Sequence, residues 1–389
     1  MGAAKRLGVI FRREIRIIFS RPIYIFCSVV APIVTFILFA SLMNEGVPNE
    51  LPVAVVDADN TATTRSIARN LDALQQIDII DRYANFGEAT AAMRRGDIYA
   101  IYYFPQGTTK ELMNNGRPRV SFYLNYSYLV AGSLTFRDMY ITSLLANAAV
   151  GRESLLARGA SNREAEMFLQ PIVIETHSIG NPWLNYAIYL NNTLYPGVLS
   201  LLIFLLTAFS ITDEIKRKSA KNWLRKAKGD IIIALCGKLT PQTILFSLVA
   251  IFYNVYLYKF LHFPVHDGIL SMIVASLLLV VASQSLGVFF AGAFPAPRWA
   301  MSIASLWGVV SFSISGFSFP IEGMSGAIRA VTNMFPLRHY FMIYCNQALL
   351  GYPIADAAIH YAALLAFLLL PLFVVKRLKN ALINYSYLE

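Results

Sequence analysis

Two carboxylates near the start of the chain are the residues best placed to do chemistry. Asp57 and Asp59 follow LPVAVVD, a run rich in Val that is typical of a buried strand. Paired carboxylates at a strand end can bind a metal ion or act as acid and base. Asn60 and Thr61 come next, and short polar side chains of this kind cap helices and close turns. The pattern therefore favours a structural role for both Asp residues.

The other candidate ligands lie apart or lack a needed neighbour. His262 and His266 have the spacing of ligands on one helix face, but Pro264 between them opposes a helix. Gly237 and Lys238 lack the upstream glycine that a phosphate loop needs. The sequence contains no GxSxG, HExxH or CxxC motif. We therefore expect no catalytic residue and no metal site in this chain.

The composition of the chain is typical of a membrane protein. Of its 389 residues, 56% are hydrophobic and 14% are charged, against about 25% charged in soluble domains. A helix of about 20 apolar residues crosses the hydrocarbon core of a bilayer. Six stretches have this length and no Asp, Glu, Lys or Arg, namely 22–44, 183–212, 239–258, 268–297, 299–321 and 357–375. We predict six transmembrane helices, the first over 22–43.

Residues 44–182 form an insertion of different composition. They carry 12 Lys/Arg and 15 Asp/Glu, whereas the rest of the chain has an excess of 13 positive charges. Apolar runs of strand length alternate with helical patterns. The predicted strands are 51–57, 77–81, 98–104 and 119–125, and the predicted helices are 63–74, 88–96, 108–116, about 130–158 and 161–169. We expect an inserted α/β domain.

The distribution of positive charge predicts the topology. Segment 213–230 has seven Lys/Arg in 18 residues and lies between the second and third apolar stretches. The positive-inside rule places it in the cytoplasm, and long domains are translocated whatever their charge. The expected fold is an α-helical polytopic membrane protein with cytoplasmic termini and an extracytoplasmic α/β domain between helices 1 and 2. A nucleic-acid partner is not expected, because the basic patch is short and pressed against the membrane.

The first 21 residues are amphipathic. Leu7, Ile10, Phe11, Ile15 and Ile18 recur at near-helical spacing, while Arg6, Arg12, Arg13 and Arg16 occupy the other side. Such a helix lies in the membrane interface with its basic side toward the headgroups. Two roles are open for it: a topological anchor, or a surface that packs beside a cytosolic partner.

Helix breakers follow the fifth apolar stretch. Gly316 and Pro320 interrupt the helical pattern, and 321–356 is only moderately apolar. Irregular backbone at membrane depth is tolerated where protein or a cavity buries it. We predict short re-entrant helices on the outer side over about 315–356, with an ordinary outer loop as the alternative.

The order of these segments resembles the permease subunits of type-2 ABC exporters, the bacterial drug- and lipid-export group with a large domain after the first helix. The matching stretches are 12–22, 51–61, 181–214 and the 316–320 break ahead of 336–340. The resemblance covers nearly the whole chain and rests on layout and short stretches. It implies a multi-pass half-transporter of the bacterial inner membrane. Two such permeases, identical or similar, would sit on two ATP-binding cassette ATPase subunits.

The resemblance also implies roles for two groups of residues. The loop after helix 2 and the N-terminal helix would couple the permease to the ATPase. The coupling residues would be Glu214, Lys218, Trp223, Leu224, Arg12, Arg13 and Glu14. Helices 2 and 5 would line the substrate pathway or its outer gate. The residues expected there are Tyr195, Phe312, Ser315, Gly316, Phe317, Phe319 and Pro320.

The loop departs from the family pattern of Glu-Arg-Glu, a variable residue, Gly-Thr, a Leu pair and Pro. Glu214 matches the first acid, but Lys218 and Ser219 stand at later positions. Trp223 and Leu224 are the side chains that could fill a pocket on a partner. The alternative is a basic loop that sets topology and has no partner.

The predicted function is a permease subunit of an ATP-driven exporter of an amphipathic, drug-like or lipid-like substrate. ATP and Mg²⁺ would bind to the partner subunit, so this chain would need no cofactor. Membrane lipids are expected partners, and a periplasmic adaptor is left open. The alternative is a non-transporting membrane anchor or receptor whose outer α/β domain binds a ligand or a scaffold protein.

Overall fold

The computed structural model describes residues 2–114, 116–170, 175, 177, 179–182 and 184–385. The chain divides into two compact units. A helical unit comprises Met1–Asn44 and Ser178–Glu389, and an α/β unit comprises Glu45–His177. The predicted start of the second span at residue 183 lies outside the described residues.

Two helices begin the helical unit. Helix α1 (Ala3–Ser20) is followed by α2 (Pro22–Leu42). Arg21 separates them in an extended conformation, with φ −126° and ψ 110°, because a following proline disfavours helical backbone. At 1.5 Å per residue α2 is about 31 Å long, which suffices to cross a bilayer.

The α/β unit alternates strands and helices. In chain order they are β1 (Leu51–Asp57), α3 (Ala62–Asp72), β2 (Ile77–Arg82), α4 (Phe86–Arg95), β3 (Ala100–Phe104), α5 (Thr108–Met113), β4 (Ser121–Leu124), α6 (Leu129–Ala157) and α7 (Asn162–Leu169). The sheet order is β2-β1-β3-β4. β1 is parallel to both of its neighbours, and β4 is antiparallel to β3. Every strand and helix predicted in the insertion is present, with ends that differ by at most three residues.

Strand β1 lies at the centre of this unit and is buried on both faces. Val53 and Val55 pack in a cluster with Leu71 of α3 and Met139 of α6. Ala54 and Val56 face the other way, in a cluster with residues of α4. Successive side chains of a strand point to opposite faces. A strand covered by helices on both sides therefore needs the continuous apolar run LPVAVV.

The carboxylates after β1 are used by the fold. Asp57 accepts hydrogen bonds from the backbone of Asn60 at 2.8 Å and from the Thr64 hydroxyl at 2.7 Å. Asp59 accepts from the backbone of Gly107 at 2.8 Å, and from the Thr109 hydroxyl at 2.6 Å. The structural interpretation of this pair is confirmed. Within the described residues no group of three or more His, Cys, Asp or Glu could hold a metal ion.

The rest of the helical unit follows the α/β unit. Its helices are α8 (Tyr186–Lys216), α9 (Ala220–Lys226), α10 (Ile231–Phe260), α11 (Ile269–Ala293), α12 (Pro297–Ile314), α13 (Gly326–Thr332), α14 (Pro336–Ile343) and α15 (Ile354–Asn384). Five helices of the described chain, α2, α8, α10, α11 and α15, are long and apolar enough to cross a membrane. Helix α12 has 18 residues and would extend about 27 Å. A sixth crossing, by α12, stays a prediction.

The long helix α8 is the centre of this bundle. It packs against α2, α11 and α12, while α11 also packs against α10 and α15. Gly287 of α11 allows one of these close approaches. A Cβ atom there would lie 2.8 Å from the Cβ of Thr207 on α8. Small residues of this kind let transmembrane helices pack closely without an apolar driving force.

The predicted break after helix 5 is confirmed. Helix α12 ends at Ile314, and Gly316 adopts φ +102°, a conformation that favours glycine. A 3₁₀ turn over Ile321–Gly323 and the short helices α13 and α14 follow. Their predicted re-entrant position in the membrane stays a prediction.

We expect Asp59→Ala to destabilise the α/β unit by about 1 to 2 kcal/mol, because Gly107 and Thr109 lose their acceptor. The Thr109 hydroxyl bond holds the pKa of Asp59 below its usual range. A lowered folded-state pKa stabilises the fold above the unfolded pKa, and this stabilisation is lost as the pH falls through the folded value. The variant's deficit in unfolding midpoint should be full at pH 7 and shrink below about pH 4.

The measurement is thermal unfolding of the full chain in detergent, read out by protease sensitivity of residues 45–177. Asp78→Ala is the matched control, because Asp78 is exposed on β2. Equal effects of the two substitutions would contradict the structural role of Asp59.

Candidate functional site

A buried lysine joins three helices of the helical unit. Lys238 lies in α10, and 1% of its side chain is exposed. Its Nζ atom lies 2.9 Å from Glu14 Oε2 on α1 and 2.8 Å from Glu214 Oε1 on α8. A buried ammonium costs several kcal/mol unless it is paired and hydrogen-bonded. The two carboxylates meet that requirement, so α1, α8 and α10 come together at one nitrogen atom.

Arg13 and Ser219 complete this arrangement. Arg13 forms an ion pair with Glu14 at 2.5 Å and a second with Glu214 at 2.8 Å. The Ser219 hydroxyl donates to Glu214 Oε2 at 2.6 Å. We call Arg13, Glu14, Glu214 and Lys238 the ion cluster. Its two acids and two bases balance in charge.

Local sequence explains why α1 reaches α10 so closely. Ile10, Glu14 and Ile18 recur every fourth residue and form the buried face of α1. Opposite them is Gly237, where a Cβ atom would lie 2.8 Å from the Cβ of Ile10. The glycine next to Lys238 thus makes room for the helix that supplies Glu14.

The basic segment 213–230 contains the helix α9, and its apolar side faces inward. Trp223 is 0% exposed and Leu224 is 4% exposed. Both belong to a core cluster with side chains of α1, α8, α10, α11 and α15. A side chain that fills a partner's pocket must be exposed before binding. The interpretation of Trp223 and Leu224 as anchors in a partner's pocket is therefore wrong for this conformation, because they anchor α9 to the permease itself.

Trp223 also contacts the ion cluster. Lys238 Nζ lies 5.1 Å from the centroid of the Trp223 ring, within the range of a cation–π interaction. The indole ring thus covers a side of the ammonium group that the carboxylates leave open. Trp223 thereby links the packing of α9 to the buried charge.

The other side of α9 and its flanks carry exposed cations. We call Lys218, Lys221, Arg225 and Lys228 the basic face. Lys218 adopts φ +56° where α8 ends. On α1, Arg12 is exposed as expected. Arg13 was predicted on the same outward side, and this is wrong, because it is drawn inward by Glu14 and Glu214.

A second ion group lies beside the first. Asp213 Oδ2 accepts from Arg21 at 2.6 Å and from Arg217 at 2.7 Å. Arg21 separates α1 from α2, so this group ties the start of α2 to the end of α8. Asp213 and Glu214 are adjacent in sequence but contact different helices. Asp213 binds Arg21 at the start of α2, whereas Glu214 binds Arg13 of α1 and Lys238 of α10.

The residues predicted for the substrate pathway lie in the bundle and at the break after α12. Tyr195 is buried in the bundle and stacks on Tyr253 with ring centroids 3.8 Å apart. Phe312 lies against Gly197 of α8. Ser315 is buried and donates to the Ser311 carbonyl. Their pathway role stays a prediction.

The rest of that group lies at the break after α12. The Tyr189 hydroxyl donates to the Phe317 carbonyl, and the Phe317 ring lies 6.0 Å from that of Phe341. Phe319 and Pro320 are exposed. The break therefore closes against α8 and α14, and its role as an outer gate stays a prediction.

A family model described as ABC-2 family transporter protein matches residues 22–375. The chain belongs to the ABC-2 transporter family. Its members are membrane components of transport and are not themselves catalytic. With five apolar helices of spanning length in the described residues, this ABC-2 permease is a multi-pass protein of the inner membrane.

A curated relative matches part of the chain. Nodulation protein J of Neorhizobium galegae is 29% identical over 108 residues. The match covers 28% of this chain and 41% of that protein, so this chain matches less than half of the relative's length.

Sequence reasoning missed Lys238, although a signal was present. Lys238 stands directly before the uncharged stretch 239–258 and inside the helix α10 (Ile231–Phe260). An ionisable residue within a span is by default a functional candidate with a partner. Arg21 and Ser219 gave no such signal, because Arg and Ser are common next to spans.

We expect Lys238→Met to lower the free energy of unfolding by about 3 to 5 kcal/mol, because two buried carboxylates would share only Arg13. Adding Glu14→Gln should recover part of the loss, since one uncompensated charge is removed. The measurement is the unfolding midpoint in detergent. Lys221→Met, which removes an exposed lysine, should change the free energy by less than about 0.5 kcal/mol. If the double variant lost as much free energy of unfolding as Lys238→Met and Glu14→Gln lose separately and added together, the residues of the ion cluster would act independently.

A pair of glycines tests the contact between α1 and α10. Gly237→Ala should cost about 1 to 3 kcal/mol, because the new Cβ would overlap Ile10. Gly8→Ala on α1 meets no atom within 4 Å and should be neutral or stabilising by up to about 1 kcal/mol. Equal unfolding midpoints for the two variants would mean that α1 does not rest on Gly237.

Proposed function

We propose that this chain is the permease subunit of an ATP-driven exporter that moves an amphipathic, drug-like or lipid-like substrate out across the cytoplasmic membrane. The observation that supports this most is the attachment of α9. Its apolar side is buried against five other helices, whereas its basic face is exposed. A helix with one side buried in the bundle and the other side exposed can transmit the movement of a bound partner to the bundle.

The partner in this proposal is an ATP-binding cassette ATPase that binds ATP and Mg²⁺, with no cofactor in the permease. Its surface contacts the basic face, and acidic groups on the ATPase complement Lys218, Lys221, Arg225 and Lys228. Closure of the ATPase dimer moves α9. Trp223 and the ion cluster pass this movement to α1, α8 and α10, because none of them can shift without uncovering a buried charge.

The substrate path in this proposal lies between two permeases, identical or similar. Helices α8 and α12 line it, and they pack against each other in the single chain. Leu306 and Val309 of α12 are exposed in the isolated chain at 63% and 57%. Apolar side chains on this face are suited to a second permease or to membrane lipid.

The α/β unit offers a surface to a further partner. Phe136, Tyr140 and Leu144 recur every fourth residue on α6 and are exposed. An exposed apolar stripe on a translocated domain is suited to a periplasmic adaptor. The same stripe supports the alternative function, in which this unit binds a ligand or scaffold protein and the chain transports nothing.

Reversing charge on the basic face tests the coupling. Lys221→Glu together with Arg225→Glu should weaken association with the ATPase about tenfold or more, because both side chains are exposed and would repel its acidic groups. Co-purification at low and high salt measures this, since contacts between exposed charges weaken with salt.

The matched control reverses Lys110 and Arg163, two exposed cations of the α/β unit. It should leave ATPase association unchanged. Unchanged association in both double variants would refute docking at the basic face. ATP-dependent export from proteoliposomes decides between transport and the alternative, because a receptor or anchor would move no substrate.

A further inference from the structure

A groove of about 540 Å³ lies between the end of α8 and the start of α12. Three cations line it: Lys216 and Arg217 of α8 and Arg298 of α12. Neither the ion cluster nor the basic face includes any of them. The groove is therefore a separate positive site at the basic end of the helical unit.

Asp213, the acidic residue that lines the groove, does not cancel the positive charge of the three cations. Asp213 is held between Arg21 at 2.6 Å and Arg217 at 2.7 Å. Both cations lie against the same carboxylate oxygen, so its charge is compensated within the wall. Arg298 stands on the opposite side of the groove and is exposed. An anion that enters would meet a net positive field.

The start of α12 adds to this field. Pro297 occupies the first turn, and Ala296 before it provides no side-chain cap. The first N–H groups of a helix lack partners within the helix, and the helix dipole makes this end positive. Together with the three cations, this favours an anionic group with several acceptor oxygens.

The remaining wall is apolar. Phe209 lies one helical turn before Asp213 on α8, and Met301 lies one turn after Arg298 on α12. Both therefore stand farther into the span than the cations. A ligand that fills the groove would have a charged end at the cations and an apolar body along Phe209 and Met301.

We propose that this groove binds the anionic headgroup, phosphate or carboxylate, of an amphiphile whose apolar part lies on Phe209 and Met301. The proposal rests on the proposed function, in which α8 and α12 line the substrate path. The groove is then the inner mouth of that path. The transported substrate belongs to the class of anionic amphiphiles.

The first experiment measures binding to the purified full chain in nanodiscs of phosphatidylcholine. The probes are fluorescent phosphatidylglycerol and fluorescent phosphatidylcholine. We expect the anionic probe to bind about tenfold more tightly than the zwitterionic one, and Arg298→Gln to remove that preference. Arg377→Gln is the control, because Arg377 is exposed on α15 at the same end of the bundle and outside the groove. Equal affinity for both probes, or equal loss in both variants, would overturn the proposal.

A second arm separates the headgroup from free anion. Inorganic phosphate should displace the anionic probe only at far higher concentration, and Met301→Gln should weaken the probe while leaving phosphate competition unchanged. Displacement by phosphate at the probe's own concentration range would show a site for free phosphate, against the proposal.

A third arm separates cargo from resident lipid. In proteoliposomes with the ATPase, an anionic probe that reaches the outer leaflet only with ATP is cargo, and Arg298→Gln should slow it. A probe that stays bound through turnover would refute the assignment of substrate class. Because binding is first measured without the ATPase, failure there leaves coupling through α9 intact. Conversely, the double variant of Lys221→Glu and Arg225→Glu can lose ATPase association and still bind the lipid probe.

Discussion

The ammonium group of Lys238 imposes the strictest constraint on this permease. It has no access to water, so its charge is tolerable only while Glu14 and Glu214 remain within hydrogen-bonding distance. Drawing either carboxylate away would leave a buried charge unpaired. Moving any one of the three helices that supply these groups away from the others therefore costs about 3 to 5 kcal/mol.

The basic segment 213–230 is attached to this buried charge. Its positive charge alone would fix only the side of the membrane on which it lies. Because Trp223 covers Lys238 and Ser219 binds Glu214, the short helix α9 is joined to the same buried charge. A force on the exposed cations thus reaches three helices without passing through a flexible loop. The proposed coupling to an ATPase requires a connection of this kind.

Local patterns predicted the α/β unit well, because strand composition and helical periodicity are recorded in neighbouring residues. The same rule could have predicted the inward side of α9, since Ala220, Trp223, Leu224 and Ala227 follow the i, i+3, i+4, i+7 spacing of one apolar face. The cations between these four residues are typical of an exposed segment, and for that reason Trp223 and Leu224 are predicted from the sequence to face a partner. The pairing of Lys238 with Glu14 could not be predicted, since the two residues are 224 positions apart and meet only through tertiary packing.

Two adjacent carboxylates connect the ion cluster to the groove. Glu214 points into the cluster, while Asp213 lies in the wall of the groove with Arg217. Neighbouring residues on a helix are about 100° apart, so one rotation of α8 changes both sites together. Ser219 directly precedes α9, so its bond to Glu214 links the start of α9 to the end of α8. If, as proposed, an ATPase moves α9 while this bond holds, the two groove cations on α8, Lys216 and Arg217, move with it. On these proposals, nucleotide state and headgroup affinity are coupled through the end of α8, which carries residues of both sites.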